Sequence, residues 1–173
     1  MMKILGFLGL FALVAALLVF TAGQMGMFSG KPPDDLGVRG GRLKPPAQTP
    51  NSVSSQAALY PDHPQRFNAD VPPIAYTGDA QQAMARLTVL LEKTPGCVLV
   101  TREPGYLYTQ WTTRRLKFTD DVEFLLDPVT SVIHVRSASR LGSNDLGVNR
   151  LRVEALRARF ALSMVPTAAK QNK

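Results

Sequence analysis

The feature that most constrains this chain is a run of nineteen uncharged, mostly apolar residues at positions 4–22. As a helix it spans roughly 28 Å at about 1.5 Å per residue, close to the hydrocarbon thickness of a bilayer. Lys3 precedes the run and the next charge is Lys31. A cleaved secretory signal has a shorter apolar stretch and a small-x-small site, and Thr21-Ala22-Gly23 offers only a weak one. We read residues 1–27 as a transmembrane anchor, with a signal segment as the alternative. The lysines and arginines after the run outnumber those before it, which by the positive-inside rule favours a cytoplasmic body. Against this, the very short leading tail resembles an export signal, and Asp34 and Asp35 dilute the positive charge that follows. The expected location is the cell membrane, single-pass, with the globular part extracytoplasmic (periplasmic).

Nine of the thirteen prolines fall between residues 31 and 73. Proline removes a backbone donor and disfavours helix in the preceding residue, so 28–58 reads as a Pro/Gly-rich linker. It would lie over the body or stand off from the membrane. The globular domain is placed at 59–165, with 166–173 as a flexible tail.

Inside the domain, Asp79 with Gln82 three residues on is a capping-box pattern. Ala80, Ala83, Met84, Leu87, Leu90 and Leu91 then recur at helical spacing until Pro95-Gly96. Four short runs with strand character follow at 97–102, 106–113, 119–126 and 131–139, joined by short turns that favour antiparallel neighbours. A last helix runs to about residue 162, with Leu146, Val153, Leu156 and Phe160 as its buried stripe. The expected fold is α+β: a four-stranded antiparallel meander with two helices packed on one face, preceded by the transmembrane helix.

Parity in the last hairpin gives the sharpest expectation. Val122, Phe124 and Leu126 share one strand face, and Asp121 and Glu123 point the other way. Ile133 and Val135 likewise oppose His134 and Arg136. A one-residue slip would send an apolar set into water. Two registers match the faces: one sets Glu123 opposite His134 and Asp121 opposite Arg136, the other sets Glu123 opposite Arg136. This charged face is either a solvated ion-pair surface or a binding groove. The candidate binding residues are Asp120, Asp121, Glu123, His134, Arg136, Arg140, Asn149 and Arg150. A carboxylate beside His134 would raise its pKa. Arg140 and Arg150 could clamp an anion at the start of the last helix, or Asp145 could cap that helix while the arginines pair with Asp120 and Asp121.

Other chemistries find little footing. One cysteine, Cys97, excludes an intramolecular disulfide and a multi-cysteine zinc site. No phosphate loop, HExxH or GxSxG occurs, and no nucleic-acid motif accompanies the net charge of +7. No cofactor is implied.

The segments Phe28-Ser-Gly-Lys-Pro-Pro-Asp-Asp-Leu-Gly-Val, Gly41-Arg-Leu, Pro50-Asn-Ser-Val-Ser-Ser-Gln, Asp120-Asp-Val-Glu-Phe and the stretch from Ile133 to Glu154 resemble the domain of unknown function 1499 family. The resemblance covers about residues 28–162 and implies no activity. Many relatives have cysteines where this chain has Pro46 and Ser52, which argues against a metal or redox role for that segment here. The functional expectation is a membrane-tethered extracytoplasmic binding module. It would engage a protein of a membrane or envelope complex, or a small anionic ligand, through the charged sheet face. The alternative is a small hydrolase or isomerase using His134 and Glu123 as an acid/base pair.

Overall fold

A computed structural model describes residues 2–164; the expected tail at 166–173 lies outside them. Helix α1 (Met2–Gln24) is long and apolar enough to cross a membrane. Its leucines and phenylalanines stand exposed, and only its C-terminal end touches the rest of the chain. There the Gln24 amide donates to the Arg115 carbonyl at 2.6 Å, and the Phe28 ring stacks on Phe118 with centroids 5.1 Å apart.

The body is a mixed helix and antiparallel-sheet fold. Strands β3 (Cys97–Glu103), β4 (Tyr106–Thr112), β5 (Thr119–Asp127) and β6 (Val132–Ser139) form the expected meander. The sheet has six strands, however, not four. Strand β1 (Ser52–Ser54) pairs with Arg136–Ala138, and β2 (Ile74–Ala75) pairs with Val132 and Ile133. End to end they cover the outer edge of β6, which would otherwise expose a row of unpaired backbone groups. Strands of two or three residues flanked by prolines are too short to show alternation, which is why no pattern announced them.

Between β1 and β2 lie a 3₁₀ turn (Ala57–Leu59) and the short helix α2 (Arg66–Ala69). Helix α3 (Ala80–Glu92) starts where expected, with the Asp79 carboxylate accepting from the Gln82 N–H at 2.8 Å. Helix α4 (Val148–Met164) buries Val153, Leu156 and Phe160. Leu146 is not part of that stripe. It lies before the helix in a left-handed conformation (φ 53°) and is 90% exposed.

Residues from both helices join Leu107, Val122, Phe124, Ile133 and Val135 in one apolar core. Leu87, Leu91, Phe124, Ile133 and Phe160 are among those fully buried, each contributing about 1.5–3 kcal/mol relative to exposure. The opposite sheet face is covered as well. Residues 28–45 cross it, and Leu43 is buried there against Tyr106 and Tyr108. The Leu43 N–H donates to the Gln56 side-chain oxygen at 2.8 Å, and its carbonyl accepts from the Tyr60 hydroxyl at 2.8 Å. Of the two arrangements open to this segment, it therefore lies over the body, as a fitted strap.

Candidate functional site

The observed β5–β6 register sets Glu123 opposite Arg136 and Asp121 opposite Ala138. Of the two matched registers this is the second, because the loop occupies 128–131 with Asp127 paired to Val132. Ser131 closes the loop in a left-handed conformation (φ 57°).

The resulting charged face is neither a solvated surface nor an open groove. Glu123 is fully buried. It accepts from the Gly37 N–H at 2.8 Å and the Tyr106 hydroxyl at 2.9 Å, with an Arg136 guanidinium nitrogen at 3.5 Å. Arg136 also donates to the Pro45 carbonyl at 3.0 Å. Asp121 is buried too. Arg140 grips it through two nitrogens at 2.9 and 2.7 Å, and the Tyr108 hydroxyl donates to it at 2.5 Å. Bidentate arginine–carboxylate pairs of this kind are the strong, geometrically specific ones. Burial pushes the Tyr106 and Tyr108 hydroxyls up in pKa, reinforced by the neighbouring Glu123 and Asp121, so both remain donors. The bond to Asp121 raises Arg140, whereas burial lowers Arg136 against the pull of Glu123. Bringing these charges out of water is costly, and it is offset only because every carboxylate has several donors. The network is structural: it joins the strap to the sheet.

The other candidate residues lie elsewhere. Asp120 shares the parity of Val122, faces the helices, and pairs with Arg152 of α4. Arg152 in turn sits over the Trp111 ring. Asn149 is buried, accepting from the Ser137 hydroxyl at 2.5 Å and donating to the Asn51 carbonyl at 3.0 Å. Arg150 donates to the carbonyls of Asp70 and Asn68, and Asp145 accepts from the Gly147 and Asn149 N–H groups at the start of α4. No Arg140–Arg150 anion clamp forms: Arg140 is committed to Asp121, and Arg150 to backbone carbonyls.

His134 shares the face of Glu123 but not its network. It stands opposite Leu125, two residue pairs nearer the hairpin. Its Nδ1 lies 3.2 Å from the Ser55 hydroxyl and its Nε2 3.7 Å from the Asp127 carboxylate. The expected rise in its pKa is reversed. Burial lowers it, outweighing the opposing pull of Asp127, and the imidazole is neutral at pH 7. Asp127 is held below the usual carboxylate range, chiefly by the Thr130 hydroxyl. Here the strap leaves the sheet uncovered and a cleft of about 600 Å³ opens. Arg42 and His134 supply its cationic and imidazole groups, and Leu59 and Leu125 its apolar wall. The Gly40-Gly41 turn forms the rim. Both glycines are left-handed (φ 57° and 73°), as the tight two-residue connection between Arg39 and Arg42 requires.

A family model described as a protein of unknown function (DUF1499) matches residues 42–160, more than half of the chain. The chain belongs to the DUF1499 family. No curated protein and no solved structure matches it. The DUF1499 match begins at Arg42, so it takes in the cleft's basic residue, the whole sheet and nearly all of α4. Within the matched range the Ser52 hydroxyl accepts from the Ala47 N–H at 2.7 Å. No group of three or more metal-ligating side chains occurs among the described residues.

Arg42, Ser55 and Asp127 were absent from the expected site. Asp127 had a signal: it follows Asp121 and Glu123 at the same parity. Arg42 belongs to the strap and Ser55 directly follows β1, and no local pattern brings either to His134.

Proposed function

We propose that this protein is a membrane-anchored binding module whose site is the cleft beside His134. Its ligand would be a small molecule with an anionic group for Arg42 and a short apolar body for the leucine wall. The observation that carries this reading is the division of the charged face. Asp121, Glu123, Arg136 and Arg140 spend their charges on one another and on the strap. Only the His134 end opens to solvent beside a cation without a carboxylate partner among the described residues. Small-molecule sites are commonly concave and mostly apolar, with few placed polar groups. A protein partner has less support, because the face that was to receive it is covered. The extracytoplasmic placement of the body belongs to the same proposal.

Thermal unfolding of the full chain in detergent tests it, with a panel of short-chain carboxylates and their uncharged amides. A carboxylate should raise the midpoint, its amide should not, and Arg42→Ala should abolish the rise without moving the ligand-free midpoint. Stabilisation that survives Arg42→Ala with His134→Gln would refute this site.

One observation favours a second reading, a hydrolase. Ser55, His134 and Asp127 stand in a hydroxyl–imidazole–carboxylate series. Nucleophilic catalysis uses such an order: the Ser55 proton passes to Nδ1 as Oγ bonds to an acyl carbon and the C=O π pair moves onto oxygen, and that proton then passes to the leaving group as the pair returns and the bond from acyl carbon to leaving group breaks. In this reading Asp127 takes the part first assigned to Glu123, which is sealed under the strap. Covalent labelling of Ser55 by an alkyl fluorophosphonate, lost in His134→Gln, would favour it over simple binding.

A further inference from the structure

The turn between β4 and β5 carries Arg114, Arg115 and Lys117. No carboxylate pairs with them among the described residues. This turn is where the body meets the end of α1. Gly23 is buried there, and a Cβ on it would come within 2.8 Å of the Leu116 carbonyl oxygen. Gln24 is hydrogen-bonded to Arg115. Since the apolar run ends at Ala22, the three cations stand within about one helical turn of where α1 would leave a bilayer. Next to them, Phe118 stacks on Phe28 and forms one wall of a second groove, of about 390 Å³. Leu141, Val148 and the exposed Leu146 supply its other apolar surface. Asn144 holds the Leu146 N–H at 2.7 Å, so the loop presents this leucine outward rather than folding it under α4.

From this juxtaposition we infer that the β4–β5 turn and the Leu146 loop dock the body onto the surface of an anionic bilayer. The inference rests on the reading of α1 as an anchor. Arg114, Arg115 and Lys117 meet lipid phosphates, while Phe118, Leu141 and Leu146 enter the boundary between headgroups and acyl chains. Charge complementarity and continuity with α1 both point to the bilayer as occupant. A cluster of juxtamembrane cations gains about 1 kcal/mol per Lys or Arg at an anionic surface, and aromatic and apolar side chains suit the interfacial layer.

The test uses the full chain in lipid nanodiscs with a fluorophore on Leu146→Cys in a Cys97→Ala background, and headgroup-proximal spin-labelled lipid as quencher. Quenching is expected in discs containing phosphatidylglycerol and not in phosphatidylcholine alone. Changing Arg114, Arg115 and Lys117 together to Ala should lower the ratio of docked to undocked body on the order of a hundredfold. A second label at Leu13→Cys, with quencher deep in the acyl chains, reports on α1. If Leu13 is quenched and Leu146 is not, the anchor stands and the docking inference falls. Quenching of Leu146 that ignores the triple substitution overturns it equally. If neither label is quenched, the anchor reading fails as well.

Discussion

The two faces of this sheet are both interiors, built on opposite principles. Under α3 and α4 the interior is apolar, and Phe124, Leu87 and Phe160 contribute by leaving water. Under the strap, carboxylates, arginines and tyrosines are locked by directional bonds, and Leu43 is the main apolar plug. A helix satisfies its own backbone and needs from the sheet only grease. An irregular strap has free N–H and C=O groups, and the sheet must supply partners for them. Glu123 accepting from Gly37 and Arg136 donating to Pro45 do this. The acids and bases are therefore consequences of what covers them.

The largest expected effect breaks the ionic side. Arg136→Met leaves Glu123 buried without its cation and should cost about 3–5 kcal/mol, whereas pairing it with Glu123→Gln should recover part of the loss. Denaturant titration of the full chain in detergent measures both. An exposed pair would give about 0–1 kcal/mol instead. Next comes a direct contrast of the two coverings. Leu43→Ala in the strap should cost about as much as Leu156→Ala in α4, each about 2–5 kcal/mol. A cost near zero for Leu43 alone would mean that the strap is loosely held.

A smaller effect concerns pH. His134 has a lower pKa folded than its ordinary value of 6.5, so the unfolded chain binds its proton more readily. Stability is therefore unaffected by this group above about 6.5, and falls as pH drops through that value toward the lower folded one. His134→Gln should flatten this part of the stability–pH curve. A His134 pKa above 6.5 by NMR titration would contradict the cleft's electrostatics. Smallest of all, Leu146→Ala should change stability by less than about 0.5 kcal/mol, since its side chain buries nothing within the protein.

These contrasts also explain what could be read from the sequence. The apolar N-terminal helix, the α3 cap at Asp79, the four consecutive strands β3 to β6 and the opposed parities of Val122 and Glu123 are local patterns, and all appear in the fold, although the sheet has six strands and not four. Parity could not say what covers the charged side, because Gly37 and Pro45 reach Glu123 and Arg136 from 86 and 91 residues away along the chain. Asp120 was misplaced for a different reason: grouped by charge with Asp121, it has the parity of the apolar face and answers to Arg152. Leu146 looked like part of α4's stripe because the spacing fits, but Gly147 and the Asp145 cap delay the helix until Val148.

The central claim is that residues 28–45 form a fitted cover over a buried ionic network. Hydrogen exchange at the backbone amides of Gly37 and Leu43, in the full chain in detergent, tests it most directly, because their acceptors are the buried side chains of Glu123 and Gln56. The account predicts strong protection, with Leu43 exchanging nearly as slowly as the core amides of β5. Exchange of both amides at the rate of an unstructured peptide would contradict it and return the charged face to solvent.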